Sequence, residues 1–261
     1  MRAGWSVSGT IPLSLRPDQI SFETLPRCHY EWSLSDRRAL RGRKDPLLSG
    51  YEALERLREG NRRFASTSTE PLIGRSRPLG SATEQRPFAV ILGCSDSRVP
   101  VEIIFDQGLG DLFVVRVAGN IVAPSQVGSV EFAAERFGTR LVVVLGHTEC
   151  GAVQATLENL QAPSARPSGD VSSIVNRIRP AVEDLLKNGE GRDPDIVMRD
   201  AVRANVRVAA NHLRHGSGIL ERLIQRSGLI VVGAEYSLET GAVEFFDGVS
   251  GTAVSAHEVP G

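Results

Sequence analysis

Residues 141–151 read LVVVLGHTECG. Five apolar residues with no polar alternation make a short strand buried on both faces, and the glycine that follows hands its carboxyl end to a histidine, a carboxylate and a cysteine. Residues 88–92 (FAVIL) form a second apolar run that closes on Gly93-Cys94, and residues 112–117 (LFVVRV) form a third. A helix-like stretch at 126–137 separates the third run from 141–145, so strand, helix and strand alternate in the rhythm of a parallel sheet. Residues 229–233 supply a fourth strand after a helical region at 170–226, which is broken near 189–194 and again near 216–218. Thr240-Gly241 then turns the chain into 242–246, a hairpin ending in an antiparallel edge strand. At the other end Tyr51, Leu54, Leu57 and Phe64 recur at helical spacing and mark the first element, a helix over 51–64. The fold class that follows is α/β: a four-stranded, mainly parallel sheet with an added antiparallel edge strand, flanked by helices.

Bulk properties narrow the function. The 261 residues are 41% apolar, enough for one large core. Thirty Lys and Arg against 31 Asp and Glu give no basic face for nucleic acid. No apolar run approaches the roughly 18 to 20 residues that span a bilayer, so no membrane partner is expected. Three cysteines, Cys28, Cys94 and Cys150, are an odd number in a chain that needs no disulfide staples, which favours free thiols or metal ligands and a cytoplasmic protein. Residues 1–45 carry neither a secretory pattern nor the acid-poor composition of a transit peptide, and are read as a poorly ordered arm before a catalytic domain at 46–261. Cys28, in that arm, has no partner motif.

Cys94 follows the first strand in CSDSR (94–98), and His147 and Cys150 follow the third in HTECG (147–151). In an open parallel sheet, ligand-binding groups collect at the carboxyl ends of strands. Taken singly, a cysteine or histidine is more often core filler. Taken together, two thiolates and an imidazole at neighbouring strand ends make a zinc site with its fourth tetrahedral position open, the arrangement of a catalytic metal. Asp96 is close enough in sequence to accept a hydrogen bond from a water there, and Arg98 can hold that carboxylate ionised through a bidentate contact.

The pair CSDSR and, about fifty residues later, HxxCG after an apolar strand resembles the signature of β-class carbonic anhydrases. The likeness extends from EGNRRF (59–64) through FVVR (113–116) and AGN (118–120) to GAV (241–243). It implies Zn2+ on Cys94, His147 and Cys150, with Asp96 and Arg98 as the catalytic pair beside it. The expected activity is reversible hydration of carbon dioxide to bicarbonate and a proton by zinc-bound hydroxide. It further implies that Gln85 hydrogen-bonds the substrate, that Phe113 enters the carbon dioxide pocket of a neighbouring subunit, and that Gly151 lines that pocket; a homodimer or homotetramer is expected. Phe132 departs from the pattern, which often has tyrosine there. In some members the aspartate corresponding to Asp96 ligates zinc at low pH, and Arg116 matches the arginine that pairs with it in those closed forms. Members with bicarbonate-controlled switching carry tryptophan where this chain has Ile91, so an open site is expected. Rival readings are a related zinc hydrolase of carbon disulfide or carbonyl sulfide, and a zinc or redox sensor in which Cys94 and Cys150 form a disulfide. His212 and His215 have no argument placing them near the metal.

Overall fold

Strands that are apolar at every position have no face to give to solvent, and the sheet accounts for this by being covered on both sides. The computed structural model describes residues 47–66, 85–162, 169–187 and 191–249. The arm expected over 1–45, with Cys28, lies outside the described residues. Strands β1 (Ala89–Gly93), β2 (Leu112–Arg116), β3 (Leu141–His147), β4 (Ile230–Tyr236) and β5 (Val243–Asp247) form one sheet in the order β2-β1-β3-β4-β5. The first four are parallel and β5 pairs antiparallel with β4, with an irregularity in register between Gly233 and Ala234. The α/β class with its added edge strand is therefore as the sequence reads.

Seven α-helices accompany the sheet among the described residues, α1 (Gly50–Ser66), α2 (Val101–Ile104), α3 (Pro124–Arg136), α4 (Gly151–Gln161), α5 (Gly169–Lys187), α6 (Pro194–His215) and α7 (Gly218–Ser227), together with a 3-10 turn at Ala118–Asn120. Alternate strand residues go to opposite faces. Ile91, Val143 and Val232 pack with Leu54, Leu57, Ile104 and Phe105 of the α1–α2 side. Val90, Leu92, Val142 and Val144 pack with Val130 of α3, Val206 and Leu213 of α6 and Leu220 of α7. Each fully buried Val, Leu or Ile contributes about 1.5–3 kcal/mol, which accounts for the unbroken apolar runs at 89–92 and 141–145 in the middle of the sheet. A third cluster, at the carboxyl end of the sheet, joins Cys94 and Cys150 to Val153 of α4, Ile178 of α5 and Ala201 of α6.

The chain runs from β1 to a neighbour on one side and from β2 across to β3 on the other, so the strand order reverses at β1. That reversal opens a crevice at the carboxyl ends of β1 and β3, the place where open α/β sheets bind ligands. The motif at 59–64 serves this layer from the opposite face. A Cβ at Gly60 would collide with the Phe105 carbonyl oxygen, so α1 lies against the end of α2 more closely than any other residue allows. Next to it buried Asn61 donates to the carbonyls of Ile104 (3.1 Å) and Gly241 (2.9 Å) and accepts from the Val243 N–H (2.8 Å). One amide thus ties α1 to both α2 and the β4–β5 hairpin.

Candidate metal centre

The site is assembled by two loops that leave adjacent parallel strands. After β1, Cys94 is buried and Asp96 closes a turn whose carbonyl accepts from Val99 N–H at 3.1 Å. Arg116, the last residue of β2, clamps this loop by donating from Nε to the Cys94 carbonyl (2.9 Å) and from Nη2 to the Asp96 carbonyl (2.5 Å). After β3, the Thr148 N–H donates to the Tyr236 carbonyl (3.0 Å) and its hydroxyl accepts from Leu238 N–H (3.0 Å), which fixes the start of the second loop on β4. Glu149 takes the left-handed conformation (φ 56°), a strained backbone for a residue with a side chain, and this turns the chain back so that Cys150 begins α4 beside His147.

The result is that one ligand atom each from Cys94, His147 and Cys150 lies within 4.8 Å of the others, all three residues buried. The His147 Nδ1 is 2.8 Å from the Thr148 carbonyl oxygen, which assigns the proton to Nδ1 and leaves the Nε2 lone pair facing the cluster. Nε2 is buried with no hydrogen-bond partner among the described residues, an orphan that a metal ion would satisfy. Both cysteines are free thiols. A hydrogen bond from the Cys150 thiol holds Cys94 down, to about 4, against the effect of burial; the His147 ring and the N–H groups of Asp96 and Gly119 assist. The same hydrogen bond, with burial and the Cys94 charge, pushes Cys150 up against the N–H groups of Val153 and Ala152. Burial is the largest single effect on His147 and opposes its charge, but the hydrogen bond and charge of Cys94, the Thr148 carbonyl and the Asp96 carboxylate together raise the imidazole pKa. Two soft donors and one imidazole sharing displaceable protons fit zinc in number and kind.

Beside the cluster, the Asp96 carboxylate receives three hydrogen bonds from Arg98. Its Oδ1 accepts from the Arg98 backbone N–H (2.9 Å) and from Nε (3.0 Å), and its Oδ2 accepts from Nη2 (2.8 Å). The Arg98 contact holds Asp96 well below the usual carboxylate range, and Oδ2 stands 3.9 Å from His147 Nε2. Gly151, the first residue of α4, is exposed, and a Cβ there would meet nothing within 4 Å.

Two residues of the expected set lie elsewhere. Gln85 is exposed and precedes β1, at the amino end of the sheet, whereas Cys94 follows the carboxyl end. Phe113 pairs with Val90 in register, four residues before Cys94, which sets it back about 13 Å along the strand. There it packs with Phe132 and Phe137 at ring separations of 6.1 and 6.0 Å, and Phe132 is 44% exposed. Ile91 is fully buried core. His212 stands 16 residues beyond Ile196, which shares a cavity with Thr148 and Glu149, so about 24 Å of helix separates it from that loop. The sequence reading missed Asn205, whose amide enters the site through Gly119; its signal was a polar residue in a buried stripe of α6 that otherwise holds Ala201, Val202, Val206, Ala209, Ala210 and Leu213.

The carbonic anhydrase family model matches residues 89–243. The chain is 40% identical to a carbonic anhydrase of Mycolicibacterium smegmatis over 193 residues, covering 74% of this chain and 91% of that protein. It is 40% identical over 197 residues to carbonic anhydrase 2 of Mycobacterium tuberculosis, covering 75% and 92% of the two chains. Among solved structures, the β-carbonic anhydrase CafA of Aspergillus fumigatus superimposes with a TM-score of 0.58 at 27% identity, covering 65% of this chain and 80% of that one.

Proposed function

Because the chain belongs to the β class of the carbonic anhydrase family, whose members are carbonate dehydratases, we propose that it hydrates carbon dioxide reversibly with zinc held by Cys94, His147 and Cys150. The observation that carries the metal reading is the buried, unpartnered Nε2 of His147 in reach of two free thiols. Zinc bound there would supply Lewis acidity, lowering the pKa of a water from its bulk value toward the range in which hydroxide is available near neutrality. Two thiolates cancel the formal charge of the ion, so the protein's own groups must assist more than three neutral imidazoles would.

Asp96 is the group placed to do so. Held ionised by Arg98, it can only accept a hydrogen bond, so a water at the site directs a proton to Asp96 and a lone pair away from it, toward carbon dioxide. Arg116 keeps the carboxylate's backbone in place from below, and its guanidinium serves two carbonyls rather than the carboxylate. Moving Asp96 onto the metal would forfeit its three hydrogen bonds from Arg98, which supports the open arrangement. The vacant space over Gly151 suits a small substrate.

Phe113 and Gln85 lie too far from the cluster of their own chain and act, in this reading, in the site of a second copy. The half-exposed ring cluster of Phe113, Phe132 and Phe137 supports a homodimer or a larger homo-oligomer, since an apolar patch of this kind is normally covered. No helix among the described residues is long and apolar enough to cross a membrane. We assign the catalytic domain to 46–261 and the protein to the cytoplasm. The test is metal removal: hydration by the purified chain should vanish on treatment with a zinc chelator and return with added zinc. Activity that survives complete loss of metal would refute the reading.

A further inference from the structure

Amphipathic spacing on α6 asks for an apolar side chain at 205, yet Asn205 is there and is 2% exposed. A buried amide is costly unless it is hydrogen-bonded, so its partner identifies its purpose. Asn205 Nδ2 donates to the Gly119 carbonyl at 2.8 Å, across 86 residues of sequence. The N–H of the same Gly119 donates to Cys94 Sγ at 3.3 Å, also buried.

Gly119 transmits one contact to the other because its backbone has little freedom. Its φ is 67° and it is followed by Asn120 at φ 44°, two successive left-handed residues that only Gly and Asn adopt at low cost. A Cβ at Gly119 would meet Ile178 Cδ1 at 2.7 Å and Ala152 Cβ at 3.1 Å, so α5 and α4 close on it from the sides. Fixing the carbonyl of this residue therefore fixes the direction of its N–H.

We propose that Asn205 is a positioning residue for the metal centre: by holding Gly119 it aims a backbone N–H at the Cys94 sulfur and tempers the charge that this thiolate passes to the metal. The inference rests on the metal reading above. Donors to a ligand atom, and the groups that hold them, tune a metal site from outside its coordination sphere and typically alter affinity about 10- to 100-fold.

The experiment compares the parent protein with Asn205→Leu, which suits the apolar stripe and preserves bulk, and with Val206→Ala, a packing change at the neighbouring buried position of α6. Zinc affinity is measured by chelator competition, and the sulfur-to-metal charge-transfer band is recorded after replacement with cobalt(II). Asn205→Leu should remain folded by circular dichroism, weaken zinc about 10- to 100-fold, and move the band to lower energy, because a sulfur relieved of its donor holds its electrons less tightly. Val206→Ala should leave both unchanged. Should Asn205→Leu fail to fold, Asn205→Ala carries the same readouts. An unaltered band and affinity in the Asn205 variant, or equal changes in Val206→Ala, would overturn the inference while the metal reading stands. Absence of any thiolate band in the parent would overturn both.

Discussion

Cys150→Ser should yield a folded protein that retains almost no zinc and has lost at least about 1,000-fold in carbon dioxide hydration, the kinetic equivalent of losing the several kcal/mol a Lewis acid supplies. The fold survives for a local reason. Cys150 is the N-cap of α4, with an extended backbone (φ −72°, ψ 110°) and no side-chain capping bond. Serine is among the preferred residues at that position and differs from cysteine by one atom, so the helix is kept or slightly strengthened. What is lost is the donor: a neutral hydroxyl is a poor partner for zinc where a thiolate is a good one. Elemental analysis, stopped-flow hydration and circular dichroism on the same preparation check the three parts. Full zinc occupancy with ordinary activity would remove Cys150 from the site.

Asp96→Asn separates holding the metal from using it. Arg98 grips Asp96 through both carboxylate oxygens, and that grip keeps the group ionised across the working pH range. Asparagine has nearly the same shape and leaves the three ligands untouched, but its NH2 cannot accept a hydrogen bond and turns a donor toward either Arg98 or the water. Zinc content should stay at the parent value while kcat falls about 100-fold, the lower end of what a positioned acid–base group contributes. Because the carboxylate is held so far down, activity lost by the parent enzyme on mild acidification should not trace to Asp96. An Asp96→Asn enzyme with parental kcat would exclude the carboxylate from the mechanism.

What the sequence disclosed depended on how local the cause was. Cys94, Asp96 and Arg98 lie within five positions, as do His147 and Cys150, and each set sits immediately beyond an apolar strand, so composition and order alone suffice to pair them. The limits of β3 and β4 were less accessible. His147 is the last residue of β3 because it pairs with Tyr236, and the continuation of β4 past Gly233 is what makes that pairing available. Nothing local at Ala234 or Glu235 requires it. The short α2 and the helix α4 after the ligands were also unread, since VEII carries less than two turns of pattern and α4 has no side-chain cap at its start.

The most distant contacts were the least legible. Asn205 reaches Gly119 across 86 residues, and only its polarity within a buried stripe marks it. Phe113 has the composition of either core or pocket, and register alone places it opposite Val90 and away from the ligands of its own chain. The arginine at 116 has a contact that the motif does not disclose: the resemblance pairs it with the Asp96 carboxylate only in a closed form, and here it donates to the Cys94 and Asp96 carbonyls.

The most direct test of the central claim is to determine zinc per chain and stopped-flow carbon dioxide hydration on one reduced sample, at pH 7 and above pH 8. The expected result is one zinc per chain and hydration that rises toward alkaline pH. One zinc per chain with no hydration at either pH would contradict it, leaving a metal site that does not perform this reaction.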